Sequence, residues 1–88
     1  MIEAKTQYGT EVKIISWYML RNGWEYFQLE EFDDNGHAYG YVMGDVGEFG
    51  SFNIHEIKNF LWVEAHGDDL NDVALPKDWE RIGTKELI

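Results

Sequence analysis

Carboxylates, three histidines and a ladder of glycines are the residues of this 88-residue chain whose types and spacing could do chemistry. The ladder runs Gly44-x-x-Gly47-x-x-Gly50 and leads into a helix-like segment. A dinucleotide fingerprint needs Gly-x-Gly-x-x-Gly between a strand and a helix, and a Walker-type loop needs a Lys beside its glycines. Here Asp45 and Glu48 sit inside the ladder, where they would repel a pyrophosphate. The glycines therefore read as a bend between strands, permitting positive φ or close backbone approach.

Glu31-Phe32-Asp33-Asp34-Asn35-Gly36 imitates the start of an EF-hand loop, with Glu31, Asp33 and Asn35 at ligand positions one, three and five when Gly36 takes the sixth. The twelfth position requires a bidentate Glu and is Val42, so the segment reads as a hairpin turn. His37, His55 and His66 have no zinc-helix spacing, and the two serines, Ser16 and Ser51, lie in no nucleophile elbow. Adjacent acids such as Glu30 and Glu31 point to opposite faces of a strand and make no acid–base pair by adjacency. The expectation is a protein that is not an enzyme and that holds no cofactor and no metal.

Charge carries more information. Seventeen acids against seven bases give a net charge of −10. Between Arg21 and Lys58 there is no Lys or Arg, while Glu25, Glu30, Glu31, Asp33, Asp34, Asp45, Glu48 and Glu56 supply −8. Direct nucleic-acid binding needs a basic footprint and is disfavoured. An acidic surface keeps a small protein soluble and can also steer a basic partner. The absence of Cys excludes a disulfide framework, a thiolate zinc site and a cysteine nucleophile. No apolar run approaches a transmembrane span, and MIEAKTQYGTEVKII lacks the pattern of a signal peptide. These features lead to the expectation of a cytoplasmic protein without membrane partners.

The elements that must position these residues are mostly strands. A chain that is 44% hydrophobic and 16% aromatic can fill one core, so residues 1–88 read as a single acidic α+β domain. Thr10–Leu20 is β-rich and apolar on both alternating faces, and Asn22-Gly23 signals a hairpin. Trp24–Phe32 is the return strand, Asp33–Gly36 the next turn, Ala38–Gly44 the third strand and Glu48–Phe52 a short fourth. The pattern predicts a small antiparallel sheet of four to five strands, a meander, with one short helix starting near Asn53. Glu56 completes a capping box with Asn53, and Phe52 with Ile57 a hydrophobic staple. Phe60–His66 either continues the helix to a stop at Gly67 or, with Leu61, Val63 and Ala65 alternating, forms a strand, the reading Trp62-Val63 favour; Leu75–Gly83 is a final extended piece. Val12, Ile14, Trp17, Phe27, Leu29, Val42, Phe52, Ile57 and Leu61 are the expected core.

From Tyr26 to Ile57 the order of features resembles a family of short bacterial, plasmid and phage proteins known only as a domain of unknown function. The resemblance is carried by Glu31-Phe32-Asp33, by Gly40-Tyr41-Val42-Met43-Gly44, and by Glu48-Phe49-Gly50-Ser51-Phe52-Asn53-Ile54-His55-Glu56-Ile57. Phe27, Ser51 and Asn53 stand where that family has Trp, Tyr and Ser; Leu75-Pro76 and Glu80-Arg81 resemble its downstream Leu-Pro and Glu-Arg. The resemblance implies an accessory protein of mobile elements and brings no catalytic residue with it.

Together these readings lead to the expectation of a small acidic binding protein that meets a basic protein surface, of the kind that normally holds nucleic acid. Glu30, Asp33, Asp34, Asp45 and Glu48 are the candidate contacts. The alternatives are a small hydrolase-like or metal-binding domain using clustered carboxylates and His, and an immunity-type or structural domain.

Overall fold

Both Asn-Gly corners close hairpins, and the glycine of each takes a positive φ, 93° at Gly23 and 86° at Gly36. The structure, a computed structural model, describes residues 1–82. Eight strands follow in order: β1 (Ile2–Lys5), β2 (Glu11–Ile14), β3 (Ser16–Leu20), β4 (Glu25–Gln28), β5 (His37–Met43), β6 (Gly47–Asn53), β7 (Leu61–His66) and β8 (Glu80–Ile82). Among the described residues a single α-helix, α1 (Ile54–Ile57), continues into a 3₁₀ turn at Lys58–Phe60, and a second 3₁₀ segment spans Gly67–Asp72. The α+β expectation holds in that form: antiparallel sheet with one short helix.

The strands make two sheets. One has the order β2-β1-β8, the other β6-β5-β4-β3-β7, and every pairing is antiparallel. The expected unbroken strand Thr10–Leu20 is divided at Ile15, so β2 belongs to the smaller sheet and β3 to the larger. The reason lies in its side chains. Val12 and Ile14 join the same core as Trp17, whereas Tyr18 and Leu20 face the other core. A straight strand would put Ile14 and Tyr18 on one face. The bend at Ile15, whose N–H donates to the Gln28 carbonyl at 2.8 Å, moves the strand from one sheet to the other.

The larger sheet is covered on both sides. Phe27, Tyr41 and Ala65 pack with Ile2, Ala4, Ile14, Leu70 and Trp79 on the side of the smaller sheet. Tyr18, Leu20, Tyr26, Ala38 and Phe52 pack against Ile57 of α1 on the other. Of the expected core, Ile14, Phe27, Phe52 and Ile57 are buried, and Val12, Trp17, Leu29, Val42 and Leu61 are half-buried against them. Asn53 caps α1 as expected, but its side chain accepts from the amide of His55 at 2.7 Å, one residue earlier than the expected box with Glu56. Leu61–His66 is the strand its alternation predicts. The final extended piece is β8 preceded by buried Trp79, and its last residue, Gly83, lies outside the described residues.

The glycine ladder serves ring packing. A Cβ on Gly44 would stand 2.6 Å from the Trp24 ring, and one on Gly47 would collide with the Tyr41 hydroxyl. Close approach is thus the part of the bend reading that the fold uses at these two positions; neither has a positive φ.

Candidate partner-binding surface

Antiparallel register sets the charges of the small sheet: Glu3 lies opposite Lys13, Lys5 opposite Glu11, and Glu3 opposite Ile82 on the far side. Where this sheet meets the larger one, a groove of about 460 Å³ opens. Val12, Leu29, Tyr39 and Ile82 supply its apolar lining, and Glu3, Glu11, Glu30 and Lys13 its charges. A second groove, of about 390 Å³, shares Glu30 and Tyr39 with the first and adds Glu31, Asp33 and His37. The two therefore join into one surface, with five carboxylates against a single lysine. Tyr39, 41% exposed at the junction, stacks on Phe49 with ring centroids 6.2 Å apart.

The turn between β4 and β5 holds the acidic end of this surface. Asp33 Oδ1 accepts from the amides of Asn35 and His37, both at 2.9 Å, which fixes the carboxylate within the turn. These bonds, that from His37 first, hold the Asp33 carboxyl below its ordinary value. The turn is tied to the helix: the Ile54 amide donates to the Gly36 carbonyl at 2.9 Å, and Asn53 Nδ2 donates to the Asn35 carbonyl at 3.2 Å. Among the described residues no Lys or Arg nitrogen comes within 4.0 Å of a carboxylate oxygen; the close approaches are those of His37 to Asp33 and His66 to Glu64.

The five candidate contacts do not form one cluster. Glu30 and Asp33 line the joined grooves, and Asp34 is exposed in the same turn. Asp45, in the turn after β5, and Glu48, opposite Val42, lie at the other end of β5, roughly 20 Å from the Asp33 turn for a seven-residue strand. There they border a smaller groove with Trp24, Val42 and Val46. Sequence reasoning missed Glu3, Glu11 and Tyr39, because the contact between the two sheets depends on the bend at Ile15.

It also missed a polar cluster on the helix side of the larger sheet. Ser16 pairs across strands with His66, and Ser16 Oγ lies 2.7 Å from His66 Nδ1. His66 Nε2 lies 2.8 Å from Glu64 Oε1. Beside them the Tyr18 hydroxyl donates to Gln28 Oε1 at 3.1 Å. Burial pushes the Tyr18 phenol up, a hydrogen bond with Ser16 opposes this, and the charges of Glu64 and Glu31 add to the rise. The available signal was the spacing of two between Glu64 and His66, which puts both on one face of a strand.

Among the described residues no group of three or more His, Cys, Asp and Glu side chains could hold a metal ion, and no helix is long and apolar enough to cross a membrane. Comparison with protein-family models, curated proteins and solved structures finds no match for this chain, and its site is read from its own geometry.

Proposed function

We propose that the protein is a binding module whose joined grooves take an extended basic segment of a protein partner. The observation that carries this reading is the combination of apolar lining and unneutralised acids around Glu30 and Tyr39. Lys and Arg side chains have an apolar stem and a charged head. Their stems fit against Val12, Leu29, Tyr39 and Ile82, and their heads meet Glu3, Glu11, Glu30, Glu31 and Asp33. Tyr39 adds a ring face for a guanidinium. A partner that normally holds nucleic acid carries such segments, and the resemblance to mobile-element proteins favours an inhibitor or immunity-type role in the cytoplasm. In this reading Asp34 contributes to the field, while Asp45 and Glu48 form a separate acidic margin.

A fluorescent oligo-arginine peptide titrated against the protein at low and high salt tests the proposal. Binding should weaken as salt screens the field over about 8–10 Å. Glu30→Lys should weaken it at least tenfold, and Tyr39→Ala should weaken it without any change of net charge. Reversing Asp68 and Asp69, exposed in the 3₁₀ segment after β7, should have little effect. Equal losses from Glu30→Lys and from the Asp68/Asp69 reversal, with none from Tyr39→Ala, would leave only general charge attraction and refute the groove.

A further inference from the structure

We propose that the outer edge of β7 docks with the same edge of a second copy of this chain, as a two-fold antiparallel interface. β7 is the last strand of the larger sheet, and no strand among the described residues pairs with its outer side. Unpaired edges recruit other strands unless Pro, Lys or an irregularity blocks them. β7 contains no Pro and no Lys, and its one carboxylate, Glu64, already lies 2.8 Å from His66 Nε2. Phe60, just before the strand, is 59% exposed, and Trp62 and Val63 within it 65% and 42%. The opposite edge, β6, has no such exposed apolar side chain. Trp62 is the extra residue of a bulge: the register passes from Met19–Val63 to Leu20–Leu61 and leaves it no opposite residue on β3. A bulge bends the strand and re-aims the side chain, so the side chains around a short ladder make the contact.

Charge selects the occupant. Lys58 is exposed two residues before Phe60, and the Arg21 amide donates to the Phe60 carbonyl at 2.9 Å, so both bases stand at the start of β7. Asp68 and Asp69 are exposed just past its end, in the 3₁₀ segment. An edge that is basic at one end and acidic at the other complements itself when two copies run antiparallel, the arrangement a two-fold axis imposes. Centred on Val63, the pairing sets Val63 against its own copy, Trp62 against Glu64, Phe60 against His66, and Lys58 level with Asp68. Centred on Glu64 it would oppose two carboxylates, which is unfavourable. Phe60 and Trp62 together expose roughly 250–300 Å² of aromatic surface on each copy. A standard interface buries about 800 Å² per partner. With a net charge of −10 on each copy, the dimer is therefore weak and fills only at high concentration. None of these residues lines the joined grooves, so self-association and peptide binding use different side chains.

Sedimentation velocity of the full chain from about 10 μM to 1 mM, with amide hydrogen exchange at both ends of that range, tests the proposal. The average mass should rise with concentration toward two chains, and the β7 amides should gain protection at the higher concentration. Trp62→Ser, at an exposed position, should raise the dissociation constant at least tenfold while circular dichroism stays unchanged. Asp68→Lys reduces the net negative charge, so simple repulsion between copies predicts tighter association. The two-fold pairing predicts association about fivefold weaker, because each contact occurs twice. Adding Lys58→Glu to that variant restores the pair in reverse and should regain the original constant. A monomer throughout the range overturns the proposal, whether β7 exchanges freely or is protected at every concentration by another segment. A dimer that Trp62→Ser leaves intact, or that Asp68→Lys tightens, overturns it as well.

Discussion

Replacing Ile57 by Ala measures how strongly the helix holds the second core. Ile57 is 6% exposed and is the buried residue of a four-residue helix, packed with Tyr18, Leu20, Tyr26, Ala38 and Phe52. The change removes three carbons, about 2.4 kcal/mol at ~0.8 kcal/mol each. Incomplete collapse of the site brings the total to about 3 kcal/mol, within the usual range for such truncations. A domain of 88 residues is stable by about 4–13 kcal/mol, so this is a large fraction. The melting temperature should fall by roughly 12–24 °C. Urea unfolding followed by tryptophan fluorescence should show a lower midpoint at an unchanged slope. Val46→Ala, at a side chain 63% exposed, should stay within about 0.5 kcal/mol. A loss at Ile57 no larger than that at Val46 would refute the assignment of Ile57 to a packed core.

Three further outcomes follow from the described contacts. Asp33 has a folded pKa below its ordinary 3.8, so it adds stability above the ordinary carboxylate range and loses it as pH falls through the folded value. Asp33→Asn keeps an oxygen acceptor for the turn but cannot titrate, and its melting temperature should drop less than the wild type's on acidification. Gly44→Ala drives a methyl group into the Trp24 ring, and because Trp24 is partly exposed the ring should swing outward. The cost should be about 1 kcal/mol with a red-shifted emission, and unchanged emission would show that the ring was not in contact. Trp79→Phe removes the 2.6 Å bond from the indole N–H to Gln7 Oε1 and should destabilise by about 1–3 kcal/mol in a urea melt.

Local chemistry was legible wherever it was set by neighbours in sequence. Asn22-Gly23 and Asn35-Gly36 marked their turns, Asn53 its cap, and Phe52 with Ile57 their shared core. Those signals act over a few residues and survive any tertiary arrangement. The division at Ile15 was not legible, since an apolar strand buried on both faces looks the same whether it stays in one sheet or crosses between two. Everything downstream of that bend was hidden with it: the small sheet, the groove, and the company of Glu3 and Glu11 with Glu30. The cluster of Ser16 with His66 was hidden for a different reason. It joins positions fifty residues apart whose pairing depends on β7 returning beside β3.

The pairing of β1 with β8 has a consequence for the protein's synthesis. Glu3 lies opposite Ile82, so β1 leaves the ribosome before the other described strands and waits for β8. The larger sheet has no such delay for four of its strands, because β3 pairs with β4, β4 with β5 and β5 with β6. Until β8 emerges, β1 and β2 form only a two-stranded ribbon, which is marginal in water. During that interval the apolar side of the larger sheet that will carry Phe27 and Tyr41 lacks Trp79. A nascent chain stalled before Trp79 would therefore present an open aromatic face to chaperones, and emergence of Trp79 and β8 would close it.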